Sequence, residues 1–361
     1  MDISPIFYKH KSSLPWLKER TVFLTRHGSW AYGTNIETSD EDFKGVAIPP
    51  KSYFHGFHKR FEQAECNEPD AVIYDIRKLM ALAANCNPNV IEVLFTDSSD
   101  HVVVTPLGQK LLDNKEKFLS KKVKHTFAGY AHSQARRMEG HWRMLHNPPS
   151  HQPSRGEFGL PDKAGFKAQM ETAHAAIQKQ LDRWSFKDLE HVDPAARISL
   201  IASMTEALAE IKVGADEQYR AAGRLLGFDD NLLALLDKER TYRNKMSEWT
   251  QYQTWVKNRN PKRAEIEKKI GYDSKNALHL VRLQKMCREI LATGQVLVKR
   301  PDREELIAIR NGAWKYEDLI AWAQKQDEEL SELYKTSPLP DAPDRVFLDN
   351  LCCEIVEESF R

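Results

Sequence analysis

The sequence predicts an α+β fold, with a small mixed β-sheet and flanking helices over residues 1–107 and a mostly helical domain over residues 108–361. Two observations predict it. Short runs of β-branched and aromatic residues alternate with helical patterns in the first part, whereas later apolar residues recur with a period of about 3.6. The length of 361 residues exceeds one average domain, which agrees with a division into two.

Strands and short helices are predicted in turn along the first part. The runs with strand character are TVFLT at 21–25, DFKGVAI at 42–48, AVIY at 71–74 and VVV at 102–104. SWAYG, directly after Gly28, can begin a helix, and IRKLMALAA has helical periodicity. NPNVIEVLF opens with a turn or cap signal, and its type stays ambiguous between helix and strand.

Long helical patterns fill most of the second part. They are GQKLLDNKEKFL, AGFKAQMETAHAAIQKQLDRW, ARISLIASMTEALAEIK, KNALHLVRLQKMCREILATG and YEDLIAWAQKQDEELSELY. Residues 146–165 are rich in Pro, Gly, Ser and His and predict a long loop. QVLVKRPD is a brief extended segment between two helical patterns.

Composition narrows the classes of protein to consider. The 53 Lys and Arg residues against 52 Asp and Glu leave a formal charge of +1, so any nucleic-acid contact must depend on local clusters. No apolar run approaches the roughly 18 residues of a membrane span, and the N-terminus lacks a signal-peptide pattern. Five scattered cysteines without C-x-x-C spacing are typical of reduced thiols, so we expect a cytoplasmic protein without a structural zinc site.

The stretch HGSWAYGTNIETSDEDFKGVAI at 27–48 carries the main candidate for chemistry. Gly28 allows a tight turn and a close approach of the backbone to a phosphate group. Ser29 adds a hydroxyl and backbone N–H groups at the positive end of a helix. The alternative interpretation is an ordinary helix cap followed by a solvated acidic turn.

An acidic group follows in the same stretch. Because side chains alternate along a strand, Asp40 and Asp42 are expected on one face and Glu41 on the other. Two carboxylates on one face can hold two Mg²⁺ ions for displacement at phosphorus. A third acid on a neighbouring strand would complete the set. Asp70, immediately before AVIY, is the first choice, and Asp75 at the other end of that run is the second.

These residues resemble a known family. GSWAYGTNIETSDEDFKGVAI is similar to the Gly-Ser and Asp-x-Asp signature of the DNA polymerase beta superfamily of nucleotidyltransferases. More narrowly, GSWAYG, SDEDFKG, NPNVIEVLF and DSKNALHLVRL resemble motifs of predicted nucleotidyltransferases associated with RNA repair ligases. The resemblance touches residues 21–105 and 240–323, and the region between them is less distinctive.

The resemblance implies transfer of a nucleoside monophosphate from a nucleotide triphosphate, ATP among them, to an acceptor hydroxyl. It implies that Gly28 and Ser29 bind the triphosphate and that Asp40 and Asp42 bind Mg²⁺ or Mn²⁺. RNA 3′ ends, tRNA included, rank first as acceptors, ahead of a protein hydroxyl (an AMPylation-type reaction) and a small molecule. A nucleotide-binding module without turnover is the alternative outside the enzymes, but the metal carboxylates are present, which favours an enzyme.

A cationic stripe is predicted on the helix in DSKNALHLVRL. Lys275, His279 and Arg282 stand at i, i+4 and i+7 and share one helix face. They are expected to contact the triphosphate or the phosphates of an acceptor, and the alternative is a solvated basic face. Arg77 and Lys78 are interpreted as covering the edge of the sheet rather than binding phosphate.

Two basic clusters with aromatic residues, at 136–146 and 255–269, suit contact with single-stranded RNA. The alternative is an ordinary surface of each helix with its Trp in the core. The histidines His132, His141 and His146 lack tight metal-ligand spacing and have no Asp or Glu at a supporting position, so no metal role is predicted for them.

Overall fold

The computed structural model describes residues 3–37, 39–184 and 215–361, and it confirms the α+β class. The chain forms two compact units, one comprising Met1–His146 with Pro261–Arg361 and the other Asn147–Asn260. The predicted boundary at residue 107 lies inside the first unit. Helices beyond that boundary share a hydrophobic core with the sheet.

Five strands of the described chain form one mixed sheet in the order β3-β4-β2-β1-β5. They are β1 Thr21–His27, β2 Asp42–Ala47, β3 Gln63–Asn67, β4 Asp70–Asp75 and β5 His101–Val104. β2 and β4 run parallel, and the other neighbouring pairs are antiparallel. The sequence prediction lacks β3, because QAECN contains no β-branched or aromatic residue and only Ala64 and Cys66 are buried.

The described helices follow the predicted patterns only in part: the patterns at 164–184, 275–294 and 316–334 are helical, whereas helices such as Val123–His146 and Asp230–Asn258 are not among the predicted patterns. Those before residue 147 are α1 Ser4–Tyr8, α2 Gly28–Tyr32, α3 Ser52–His55, α4 Ile76–Ala84, α5 Pro88–Leu94, α6 Pro106–Asp113 and α7 Val123–His146. Those after it are α8 Ala164–Trp184, α9 Ala215–Leu225, α10 Asp230–Asn258, α11 Pro261–Ile270, α12 Ser274–Thr293, α13 Arg303–Arg310, α14 Tyr316–Thr336 and α15 Arg345–Glu358. Short 3₁₀ turns lie at Ser98–Asp100, Lys115–Phe118 and Gly156–Phe158.

Local signals settle the ambiguous segments. NPNVIEVLF forms a helix, α5, because the Asn87 side chain accepts a hydrogen bond from the Asn89 N–H and Pro88 occupies the first turn. QVLVKRPD is extended but pairs with no described strand. The helix predicted at 196–212 lies outside the described residues.

The sheet of the first unit is covered on both faces. Val22, Phe23 and Val46 belong to a large core that includes residues of α4, α5, α7 and α12. Leu24 and Ile73 belong to a second core that includes the N-terminal segment. α12 is buried along most of its length, and it packs closely on α7. The strand order and this packing bring α12 close to the sheet although it lies far along the chain.

The second unit has its own core between α8, α9 and α10. Its buried members are Met170, Ile177, Tyr219, Ala222, Leu233 and Leu236. Arg155 donates two hydrogen bonds to the Glu239 carboxylate, at 3.0 and 2.6 Å, in a buried ion pair. The basic cluster at 255–269 is divided between the two units, since the boundary falls after residue 260. None of the described helices is both long and apolar enough to cross a membrane.

The close approach of β1 and β2 depends on Gly45. A Cβ atom at this position would lie 2.4 Å from the carbonyl oxygen of Phe23. We therefore expect Gly45→Ala to lower the free energy of unfolding by about 1–3 kcal/mol, measured by denaturant titration.

Gly140→Ala is the matched control for Gly45→Ala. Gly140 lies within α7, and a Cβ added there would meet no heavy atom within 4 Å apart from its chain neighbours and the nearby backbone of its own helix. The control should raise stability by about 0.5–1 kcal/mol, because Ala favours a helix interior over Gly. Equal effects of the two substitutions would contradict the strand packing described above.

Candidate functional site

A cavity of about 430 Å³ opens where β2 and β4 begin. Residues of α2, β2, β4, α5, α7 and α12 line it, so it belongs to the first unit alone. The predicted site residues that line it are Gly28, Asp42, Asp70, Lys275, His279 and Arg282. Ser29 and Asp40 are not among the lining residues.

Carboxylates converge at this end of the sheet. Asp42 and Asp70 are register partners at the first positions of the parallel strands β2 and β4, so their side chains lie on the same face. Burial raises the pKa of the Asp42 carboxyl, and the negative charges of Asp70 and Asp40 raise it further. Three carboxylates therefore act on one another here, and carboxylate oxygen is the donor that hard divalent cations prefer.

Asp40 joins this group from a loop rather than from the strand. β2 begins at Asp42, so Asp40 precedes it and its side chain is exposed. The prediction that Asp40 and Asp42 share a strand face is therefore wrong, although the Asp40 charge still acts on Asp42. Glu41 points elsewhere, with its carboxylate 3.6 Å from Arg26.

The carboxylate of Asp42 leaves no room for a side chain at position 28, so this residue must be glycine. Its φ of +64° lies in the left-handed region, and a Cβ atom would lie 2.0 Å from Oδ2 of Asp42. The missing side chain thus makes room for a carboxylate of this protein, in addition to the predicted approach to a phosphate. Ser29 follows in the first turn of α2 and is half-buried.

Asp75 occupies the opposite end of β4 and is buried. Its carboxylate caps α4 by accepting from the Arg77 N–H at 2.7 Å, and it also accepts from the Arg77 guanidinium at 3.0 and 2.8 Å. Its register partner is Ala47, at the far end of β2. The register therefore places Asp70, and not Asp75, beside Asp42. Lys78 contacts Glu62, next to the edge strand β3, at 2.9 Å. Arg77 instead contacts Asp75 at the end of the inner strand β4.

The predicted cationic stripe on α12 reaches the cavity but is not uniformly exposed. Lys275 is exposed and His279 is half-buried, whereas Arg282 is buried. Nη1 of Arg282 donates to Oε1 of Glu92 at 2.5 Å. The guanidinium also lies 3.8 Å from the centre of the Tyr32 ring. Arg282 is therefore a buried ion-pair partner at the cavity, and the alternative of a solvated basic face does not describe it.

Glu92 is shared between three parts of the fold. The Tyr32 hydroxyl donates to Oε2 of Glu92 at 2.5 Å, while Arg282 binds Oε1. Burial raises the pKa of Tyr32 well above its ordinary value, so the hydroxyl keeps its proton at neutral pH. The result is a buried connection between α2, α5 and α12 beneath the cavity.

Two further ionisable residues lie beside this connection. Burial, followed by the positive charges of Lys44 and Arg282, lowers the pKa of His27 well below its ordinary value, so the imidazole is neutral at pH 7. Lys44 follows Asp42 by two positions and lies on the same face of β2. The pKa of Lys44 is lowered, because the effect of burial exceeds the opposing effect of the negative charges of Glu92 and Asp42.

Sequence reasoning missed Glu92, Lys44 and Tyr32 as site residues. The signal available was a single charge inside an apolar run, as in V-I-E-V-L and F-K-G-V. A charge that the pattern buries must find a partner, so each such residue indicates an ion pair. The identity of the partner is not readable from either run, because Arg282 lies 190 positions from Glu92.

His141 lies in another group of ionisable residues, which is formed by distant segments. Its Nδ1 lies 2.9 Å from Oδ2 of Asp273, and Glu267 lies close enough for ligand atoms of all three to fall within 4.8 Å of one another. The expectation that no carboxylate supports His141 is therefore wrong. The Asp273 carboxylate also caps α12, accepting from the N–H and the side-chain amide of Asn276.

Comparison with known families gives a match to the first part of the chain. Residues 7–146 match the model of the RNA repair pathway DNA polymerase beta family. The range includes all five strands and α2 to α7, and the resemblance to polymerase beta nucleotidyltransferases is confirmed there. The match supports a transferase, and it ends before α12. No curated protein and no solved structure matches the chain.

The shared carboxylate of Glu92 makes Arg282 important for stability. Arg282→Ala would leave a buried carboxylate without its cation, so we expect the free energy of unfolding to fall by about 3–5 kcal/mol. Arg288→Ala is the matched control on the same helix, because Arg288 is paired with Glu329 near the surface. That substitution should cost about 1 kcal/mol or less. Similar losses in denaturant titrations of the two variants would contradict the buried network.

The crowding of carboxylates predicts that Asp42 opposes folding. The pKa of Asp42 in the folded state is raised above the ordinary value of 3.8. The unfavourable contribution of Asp42 to folding is therefore absent at pH values well below 3.8 and grows as the carboxyl ionises. Above the folded-state pKa this contribution is constant. In metal-free buffer, Asp42→Asn should therefore have a higher Tm than the unsubstituted protein at pH 7, and the difference should vanish in acid.

Glu41→Gln is the control for the Asp42→Asn comparison. Glu41 lies near Arg26 instead of the other carboxylates, so its substitution should give no such gain. A Tm difference for Asp42→Asn that does not change between pH 7 and acid would refute the interpretation.

Proposed function

We propose that the protein transfers a nucleoside monophosphate from a nucleotide triphosphate to the 3′ hydroxyl of an RNA, tRNA included, and releases pyrophosphate. The observation that carries the proposal is the convergence of Asp42, Asp70 and the charge of Asp40 at the rim of a cavity that cationic side chains also line. This end of the sheet lies in the part of the chain that matches the RNA repair family.

Asp40, Asp42 and Asp70 are the residues that would hold Mg²⁺ or Mn²⁺. The fit is supported by the raised pKa of Asp42, because carboxylates that repel one another are relieved by a divalent cation. The bound metal would neutralise phosphate charge and favour deprotonation of the acceptor hydroxyl. The three side chains come from β2, β4 and the loop before β2, so the sheet register holds two of them in place.

The chain supplies the remaining binding groups from two sides of the cavity. Gly28 and Ser29 would place backbone N–H groups and a hydroxyl near the triphosphate. Lys275 and His279 line the cavity from α12, and Arg137 lines it from α7. Their positive charge suits a triphosphate and the backbone of an acceptor.

Arg282 acts differently in this proposal. Its Nη1 is engaged by Glu92, so we assign it mainly to positioning. Through Glu92 it holds α12, which carries Lys275 and His279, against α2, which carries the Gly-Ser turn.

The test is a transfer assay with the full chain. Each NTP, labelled at its α-phosphate, is incubated with Mg²⁺ or Mn²⁺, RNA and unrelated protein, and the labelled macromolecule is identified. Label on RNA 3′ ends is the expected result. Label on polypeptide alone would reject the RNA acceptor and keep the chemistry, and binding of NTP without any transfer would reject the enzyme.

Substitution of the carboxylates should separate catalysis from folding. Asp42→Asn and Asp70→Asn should each lower the transfer rate by about 10³-fold or more, because several kcal/mol of transition-state stabilisation are lost. Glu41→Gln should lose far less. Asp75→Asn should keep its rate, and it should also keep the helix cap, because Asn caps a helix about as well as Asp. A folded Asp75→Asn protein as slow as Asp42→Asn, with Asp70→Asn near normal, would reverse the choice of third acid.

A further inference from the structure

A basic and aromatic segment lies between β2 and β3, away from the cavity. Residues 51–61, KSYFHGFHKRF, contain three cations and two histidines but no carboxylate, in a chain with a formal charge of only +1. Most of this 51–61 segment is exposed. It follows the end of β2 that is opposite to Asp42.

The cations of the 51–61 segment are not neutralised within the fold. Among the described residues, no carboxylate oxygen lies within 4.0 Å of the Lys51, Lys59 or Arg60 cation. The neighbouring Arg77 and Lys78 differ, because each contacts a carboxylate. The positive charge of the segment is therefore directed to solvent and to whatever binds there.

Aromatic rings accompany these cations. Phe57 is 96% exposed, and no other large apolar side chain of the 51–61 segment is exposed. Tyr53 lines a cavity of about 380 Å³ together with Lys59. The Lys59 Nζ lies 5.8 Å from the centre of the Tyr53 ring.

Trp16 holds the Tyr53 ring in place. Its indole N–H donates to the Tyr53 hydroxyl at 3.3 Å, and the two rings meet edge to face at 5.4 Å. Trp16 also contacts Phe61 at the end of the segment. The rings of Tyr53 and Phe61 are therefore held in place by Trp16, while Phe57 and the cations remain accessible.

We propose that the 51–61 segment binds single-stranded RNA, upstream of the 3′ end that the carboxylates receive. Exposed rings stack on bases, and unpaired cations follow phosphates. A membrane surface would require a continuous apolar face, which a single exposed Phe57 does not form. The inference rests on the proposed function, since RNA is the acceptor in both.

The position of the segment sets the length of RNA that it can reach. Asp42 and Ala47 mark the two ends of β2, which are about 17 Å apart at 3.3 Å per residue. At about 3.4 Å per nucleotide of a stacked strand, an RNA must exceed roughly five nucleotides to reach from the carboxylates to the segment.

Binding to a single-stranded RNA of about 20 nucleotides, without NTP, tests the surface directly by fluorescence anisotropy at several salt concentrations. Lys59→Ala combined with Arg60→Ala should weaken binding and flatten the plot of log affinity against log salt by about 1.4, or about 0.7 for each lost phosphate contact. Phe57→Ala should weaken binding about tenfold and leave that slope unchanged, because a stacking contact releases no counterion.

The matched control removes two exposed cations elsewhere in the first unit. Lys325 and Lys335 on α14 have side chains 73% and 66% exposed, and their double substitution by Ala should leave affinity and slope unchanged. Segment variants that bind RNA as the control does would overturn the proposal. Polyglutamate that competes as well as RNA of equal charge would overturn it too, since it would indicate an acidic protein partner.

Transfer assays separate this inference from the proposed function. The Lys59 and Arg60 double variant should raise the KM for the long RNA, with the KM for NTP and the rate on an acceptor of about three nucleotides unchanged. Normal KM for long RNA in an active double variant would reject the segment alone. Segment-dependent RNA binding by a protein that transfers nothing would reject the proposed function and retain the segment.

Discussion

The buried carboxylate of Glu92 is the group on which the arrangement of the site depends. It accepts from Tyr32 on α2 and from Arg282 on α12, while it is itself carried by α5. A charge in the interior is tolerated only when its partners are in place, so the pair fixes geometry more than it adds stability. The two walls of the cavity are therefore held at a defined spacing by one side chain, and the groups proposed to bind phosphate on each wall depend on that spacing.

A second electrostatic constraint on the site is the repulsion between carboxylates at one end of the sheet. Asp42 and Asp70 begin two parallel strands, and the register leaves them side by side although like charges repel. The hydrophobic cores on both faces of the sheet stabilise the fold. This stabilisation allows the fold to retain a pair of carboxylates that repel each other. Gly28 adds to the constraint, because its missing side chain is what lets Asp42 occupy its position. The strand residues that stabilise the fold thus differ from the strand residues that are proposed to bind metal.

Most of what was predicted correctly from the sequence came from local patterns. Strand alternation and cap signals are short-range, so four of the strands, α5 as one of two alternatives and the first-choice position of Asp70 beside Asp42 were within reach. The strand argument for Asp40 failed because the strand begins at Asp42, where the run DFKGVAI begins, so Asp40 lies in the preceding loop.

What the sequence did not reveal depends on long-range contacts. The burial of Arg282 follows from Glu92, and the neighbours of His141 come from α11 and from the residue before α12. A helical stripe shows which side chains share a face, but not whether that face meets solvent or a buried carboxylate. The same limit hid the 51–61 segment, whose significance lies in three cations that have no carboxylate oxygen of the described residues within 4.0 Å.

The division of the first unit along the chain has a consequence for biosynthesis. Glu92 and Arg282 are separated by 190 positions, and the whole of Asn147–Asn260 is made between them. At roughly 5–20 residues per second, a ribosome needs about 10–40 s to cover that distance. During this interval α5 carries the acidic side chain of Glu92, whose cation does not yet exist. The Gly-Ser turn and the carboxylates therefore emerge early, but the wall that completes their cavity arrives last, so a truncated chain ending before α12 lacks the cation that pairs with Glu92.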